Sequence, residues 1–294
     1  MHHSPLRYPG GKSSLVKFLK DLVVKTDLNQ PVYYEMYAGG AGAGLNLLFN
    51  DVFSRIVLND YDYHIYAFWY TVLNHSDELI ELISKCDITI DNWKKQKEVY
   101  SNPDKYHTTE VGFSTFFLNR SNRSGILHKA GPIGGMEQNG KYLIDARFPK
   151  STLIERIQKI KDYKEQITIN NNEAITLLSS IFKNKDLNNS IIYLDPPYYE
   201  QGENLYLNFY KHKNHENLAN LLLNNKKQNW FLTYDNQSEI KEMYKGLRIA
   251  EYSTRYTLQD KKDAKEVLIF SDSLSIPEKF RIYSRENELE TFVA

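Results

Sequence analysis

Along this chain, short runs of apolar and β-branched residues alternate with stretches in which apolar residues recur three or four positions apart. The runs predict strands at Val32 to Tyr37, Arg55 to Leu58, Ile167 to Ile169, Ser190 to Leu194, Trp230 to Tyr234, Leu247 to Tyr252 and Glu266 to Phe270. The periodic stretches predict helices at Ser13 to Val24, Tyr63 to Leu73, Leu153 to Tyr163, Glu173 to Phe182, His215 to Leu223 and Ser238 to Tyr244. Strand and helix in turn is the pattern of an α/β protein with a mainly parallel sheet, and seven strands suit one open sheet.

Between Leu73 and Leu153 the alternation lapses and the sequence turns polar, aromatic and basic, which reads as an insertion. It holds a helical stretch, Glu110 to Asn119, and then a segment rich in Gly and Arg. A hairpin is expected next, Ile133 to Gln138 paired with Lys141 to Asp145, because Asn139-Gly140 is the dipeptide best suited to a type I′ turn. Over the whole chain 37 Lys and Arg cancel 37 Asp and Glu. The cancellation is uneven: Trp93 to Glu165 holds 14 basic against 8 acidic residues, a net of +6, so the remainder sums to −6. Zero net charge therefore does not exclude a polyanion partner, although an ordinary solvated surface can be locally basic too.

A length of 294 residues with 41% hydrophobic content allows a sizeable core and one or two domains. Lone Cys86 forms no internal disulfide, and no stretch approaches the roughly 20 apolar residues of a membrane span. Met1 to Gly10 lacks an apolar signal region, so a soluble, cytoplasmic protein is expected.

Three motifs carry chemistry. Gly10-Gly11-Lys12-Ser13 has the look of a phosphate loop, but the glycine required five positions before the Gly-Lys pair is Leu6, and no strand precedes it. It can form a tight turn into the following helix, or bring backbone and a lysine to an anionic group. Glu35-Met36-Tyr37-Ala38-Gly39-Gly40-Ala41-Gly42 follows a strand and opens a helix, where glycines let the backbone approach a ligand. Leu45 stands where the strict dinucleotide spacing needs a glycine, so a nicotinamide enzyme is disfavoured. Asp60, 21 residues beyond Gly39 at the end of the next strand, is placed to accept both hydroxyls of a ribose. Finally, Ile191 to Leu194 runs into Asp195-Pro196-Pro197-Tyr198. A strand leaving through two prolines sets a carboxylate and an aromatic ring at the carboxyl edge of the sheet, with carbonyls free to accept hydrogen bonds.

Taken in order, these segments resemble the Dam-type DNA adenine-N6 methyltransferases, which use S-adenosylmethionine. Arg7-Tyr8-Pro9-Gly10-Gly11-Lys12 is similar to that family's N-terminal cofactor segment, Glu35 to Gly40 to its glycine loop, and Asp195 to Tyr198 to its catalytic tetrapeptide. Asn119-Arg120, Phe148-Pro149-Lys150 and Lys265 to Phe270 are similar to the flanks of its recognition insert and to its C-terminal strand. At Asn171-Asn172-Glu173 the family commonly carries Asp in place of Glu173.

The resemblance implies a seven-stranded, doubly wound, Rossmann-like catalytic domain over residues 1–73 and 153–294, with an inserted, mainly helical DNA-recognition domain over 74–152 that carries the hairpin. It implies catalytic roles for Asp195, Pro196, Pro197 and Tyr198, and a cofactor site drawn from Tyr8, Lys12, Glu35, Tyr37, Gly39, Asp60 and Asp195. Asn119, Arg120, Arg123 and Lys129 are the expected DNA contacts. Double-stranded DNA is the implied partner, no metal is needed, and the enzyme is of prokaryotic or phage type, solitary or paired with a separate restriction endonuclease. Cytosine-N4 or RNA amine transfer uses similar tetrapeptides and stays open here, as does a catalytically inactive DNA-binding regulator.

Overall fold

The computed structural model describes residues 3–7, 12–184, 186–200, 210–255, 263–277, 279–284 and 287–292. A 3-10 turn, Lys12–Leu15, leads into α1 (Val16–Lys25), and β1 (Val32–Glu35), α2 (Gly42–Leu48) and β2 (Arg55–Asn59) follow. Five helices come next: α3 (Tyr63–Asn74), α4 (Ser76–Lys85), α5 (Ile90–Ser101), α6 (Thr108–Ser121) and α7 (Lys150–Asp162). The remainder is β3 (Ile167–Asn170), α8 (Ala174–Asn184), β4 (Ser190–Leu194), a helix His212–Leu223, β5 (Trp230–Asp235), a helix Ser238–Met243, β6 (Arg248–Arg255), β7 (Asp263–Phe270), β8 (Lys279–Ser284) and β9 (Asn287–Phe292). All seven expected strands are present, in one sheet of order β3-β2-β1-β4-β5-β7-β6. A separate β8–β9 ribbon was not expected, because its charged and apolar residues alternate without forming an apolar run. Among the described residues no helix is long and apolar enough to cross a membrane.

The chain divides into two compact units, one of residues 12–61 and 172–294, the other of 1–11 and 62–171. In the first, β1 runs parallel to β2 and β4, and β4 parallel to β5, whereas β7 is antiparallel to both β5 and β6. Every residue of β4 is buried, as a parallel strand covered on both faces requires. Alternate residues explain how. Ile192 and Leu194, Trp230, Leu232 and Tyr234, and Val267 and Ile269 pack with Leu178, Leu218, Leu222, Ile240 and Tyr244 from the following helices. On the opposite face Phe231 stacks on Tyr193 at 4.7 Å between centroids and meets Phe18 of α1 edge-on at 5.7 Å.

In the second unit α6 is buried almost all round, so it forms the centre against which the other helices pack. Phe116 stacks on Phe68 of α3 at 6.0 Å and meets Phe148 edge-on at 5.4 Å. Helix entry is fixed locally, since His107 donates its backbone N–H to Glu110 at 2.9 Å. Trp93 of α5 donates to Asn122 at 2.7 Å, just beyond the C-terminus of α6.

The hairpin expected at Ile133 to Asp145 is not formed; these residues make successive turns, with one isolated bridge, Asn122 to Pro132. Gln138 explains the difference. At a φ of 49° its amide donates to the carbonyls of Ile133 and Gly135 and accepts from the Ile144 N–H, so a side chain satisfies groups that a ladder would otherwise pair.

Close packing makes α6 sensitive at one position. A Cβ on Gly112 would lie 2.2 Å from Thr71 Oγ1 and 2.6 Å from the Ala67 carbonyl. Gly112→Ala should therefore destabilise the protein by about 1–3 kcal/mol, read as a lowered urea midpoint; an unchanged midpoint would mean that α3 and α6 separate without cost.

Candidate active site at the carboxyl edge of the sheet

The strand order reverses between β1 and β4, and open α/β sheets receive ligands outside the carboxyl ends of the strands at such a point. Beyond β1, Gly39 and Ala41 adopt φ values of 45° and 48°, which turn the chain sharply into α2. The turn is braced from β2. Asn59, fully buried, donates to the carbonyls of Met36 and Asn172, each at 3.0 Å, and accepts from the Asn172 N–H at 3.1 Å. Asp60 accepts from the Gly39 N–H at 2.8 Å.

Glu35 closes β1 with 5% exposure, and its Oε2 has no hydrogen-bond partner. Burial, reinforced by Asp195, pushes its carboxyl well above the ordinary glutamate range despite a bond from the Gly44 backbone. A Cβ on Gly44 would stand 3.0 Å from that same Oε2, so glycine keeps the space open.

At the end of β4, Asp195 accepts from Thr233 at 2.6 Å and lies 3.2 Å from the Lys12 ammonium. Thr233 is itself tied to Tyr193 at 2.8 Å. Lys12 also lies 3.6 Å from Glu266 and donates to the Tyr198 hydroxyl at 3.3 Å, while Tyr198 donates to Glu266. Burial alone would lower the Lys12 ammonium, but Asp195 and Glu266 outweigh it and hold it well above the usual lysine value. Burial lifts the Asp195 carboxyl above its ordinary value; Lys12 opposes the rise and Glu266 adds to it. Pro196 and Pro197 are buried, and Asp235 at the end of β5 accepts from the backbone of Tyr199 at 2.9 Å and Glu200 at 3.1 Å. The tetrapeptide is thus held in place on both sides.

The family model for D12 class N6 adenine-specific DNA methyltransferases matches residues 8–258. The chain belongs to that family. It is an enzyme that methylates adenine N6 in DNA site-specifically. Among curated proteins none matches the chain. Among solved structures it is matched by the rRNA methyltransferase aviRa from Streptomyces viridochromogenes, with 10% identity over 90% of this chain and 87% of that one and a TM-score of 0.38.

In this D12 methyltransferase, Lys12, Glu35, Gly39, Asp60, Asp195 and Tyr198 fall in one unit around the strand ends. Tyr37 lies there too, its hydroxyl 2.8 Å from that of Tyr210, which donates to Glu173 at 3.2 Å. Tyr8 lies outside the described residues. The other four expected residues lie in the second unit. Asn119 is fully buried, and its side chain is taken up by the Arg7 backbone and the Gly125 carbonyl. Arg120 is 7% exposed, whereas Arg123 and Lys129 are exposed.

Sequence reasoning did not single out Thr233, Asp235 or Glu266 as site residues. Glu266 heads an apolar run, and the antiparallel register sets it opposite Asp235, so the start of β7 reaches the carboxyl end of β5. Only the fold supplies the signal: a carboxylate in a strand buried to 1% needs a partner. The charges on either side of Asp195 act in opposite directions. Lys12→Met should raise its carboxyl further and Glu266→Gln should lower it, followed by carbon-detected NMR of labelled aspartate across pH; shifts of the same sign would contradict the arrangement.

Proposed function

We propose that the methyltransferase acts on an adenine swung out of the duplex, and that Asp195 and the Pro196 carbonyl accept its two N6 hydrogens. The N6 lone pair is delocalised into the ring and nucleophilic only when the nitrogen is pyramidal. Two acceptors fixed in place favour that geometry by positioning and electrostatics. Asp195 need not be a strong base, because the amine becomes acidic as the new bond forms. The observation that carries this reading is the Asp195 carboxylate at the β1/β4 reversal, held by both Thr233 and Lys12. Tyr198, its hydroxyl bound to Lys12 and Glu266, offers a fixed ring for stacking. Such stacking contributes about 1–3 kcal/mol against a cost of a few kcal/mol for unstacking the base.

S-adenosylmethionine, when bound, supplies the methyl group from its sulfonium sulfur. The residues fit it. Glu35 has a buried oxygen without a partner, suited to the ammonium of the amino-acid end, and Gly44 leaves room beside it. Asp60, next to Gly39 in the turn, suits the ribose hydroxyls. Lys12, Tyr37, Tyr8 and Asp195 complete the proposed cofactor set, and among the described residues no His, Cys, Asp and Glu cluster could hold a metal.

For the DNA side we assign residues 74–152 as the recognition domain, with Arg123 and Lys129 on backbone phosphates and Arg120 as a further contact. Phosphate contacts fix register, and side chains reaching base edges read sequence.

Asp195→Asn keeps the shape and removes the charge. It should lower kcat at saturating cofactor by about 10²-fold or more, measured by nucleoside analysis of methylated DNA. Wild-type turnover should fall on the acid side at a pH above the ordinary aspartate range, since Asp195 must be ionised and its carboxyl is raised. Undiminished turnover by Asp195→Asn would end the mechanism. Arg123→Gln and Lys129→Gln should each reduce the slope of log K against log salt by about 0.9; an unchanged slope would remove that residue from the phosphate contacts.

A further inference from the structure

Arg120 is a buried cation without a counter-charge. It sits on α6 at 7% exposure, its Nε has no partner, and the charges that act on it are those of three more arginines, Arg7, Arg156 and Arg147. Among the described residues, no ion pair involves any of the four.

Arg7 and Arg156 are fixed by hydrogen bonds that leave guanidinium donors over. Asn119, adjacent to Arg120, grips the Arg7 backbone from both sides, accepting from its N–H at 2.7 Å and donating to its carbonyl at 2.8 Å. Arg7 Nη1 donates to the Asn122 carbonyl at 3.1 Å, and Arg156 Nη1 on α7 donates to the Ser4 carbonyl at 2.9 Å. The segment from Ser4 to Arg7 therefore runs from α7 to the end of α6 and brings Arg7 and Arg156 to Arg120. Arg147 lies with its guanidinium carbon 6.0 Å from the centre of the Tyr142 ring.

Burying a guanidinium beside others of its kind is unfavourable, and arginine does not shed its proton at neutral pH. Burial first, and then Arg7, Arg156 and Arg147, push the Arg120 pKa down to about 9. An anion entering this cluster would supply the missing counter-charge and offset the repulsion among the arginines. A phosphate group has the oxygens to serve several guanidinium forks at once, and the match is bidentate.

We propose that Arg120, with Arg7, Arg147 and Arg156, forms a recessed cradle for a single phosphate group. A phosphodiester of the DNA backbone and free inorganic phosphate share this chemistry. The first source rests on the DNA-binding reading of this unit; the second does not.

Two measurements on the full chain test the cradle. Thermal melts in inorganic phosphate, against chloride at matched ionic strength, should show a phosphate-specific rise in Tm for the wild type that is lost in Arg120→Gln and in Arg156→Gln. In chloride, Arg120→Gln should melt no lower than the wild type, because it relieves repulsion. Binding of a random-sequence duplex across salt identifies the source. A slope reduced by about 0.9 in Arg120→Gln assigns a backbone phosphate, and an unchanged slope with the phosphate-specific Tm rise assigns free phosphate. If Arg120→Gln fails to fold, Arg156→Gln and Arg147→Gln carry the same comparison. The cradle is overturned if phosphate gives no rise beyond chloride and the duplex slope is the same in every variant. Tight duplex binding by the wild type with that result would leave the DNA reading intact, whereas a wild type that binds no duplex but shows the Arg120-dependent phosphate effect would overturn that reading alone.

Discussion

The ammonium of Lys12, set between the carboxylates of Asp195 and Glu266, is the interaction on which the catalytic unit depends. It draws together three separate parts of the chain: the turn before α1, the end of β4 and the start of β7. Without it the buried Glu266 carboxylate and the partly buried Asp195 carboxylate would both lose their counter-charge. The same ammonium reaches the Tyr198 hydroxyl. One cation therefore orients the acid and the aromatic ring of the catalytic tetrapeptide together.

Topology makes that meeting possible. The reversal of strand order at β1 and β4 gathers Glu35, the glycine turn and Asp195 at one edge. Parallel strands alone would bring only their carboxyl ends there. Because β7 runs antiparallel, its amino end arrives at the same edge and adds Glu266 opposite Asp235. The antiparallel strand is thus part of the site as well as of the sheet.

The two units treat buried charge differently. Around Asp195 each ionised group has an opposite partner within the unit. Around Arg120 the neighbouring charges are all positive. A fold that matches its charges in one place and leaves them unmatched in another points to a ligand at the second, and the local surplus of +6 over Trp93 to Glu165 is the sequence-level trace of it.

Periodicity and motif order determined a good deal by themselves: the seven strands, most helices, the glycine turn and the carboxylate at the exit of β4. These are local properties, since an apolar run buried on both faces or a Pro-Pro exit carries its meaning within a few residues. The hairpin was misjudged because Asn139-Gly140 is a local signal that Gln138 overrides through contacts with Ile133, Gly135 and Ile144. Only the tertiary structure brought Thr233 and Glu266 to Asp195, and Arg7 and Arg156 to Arg120. These pairings join residues far apart in sequence, and the cost of burying a charge is decided by what the folded chain sets beside it.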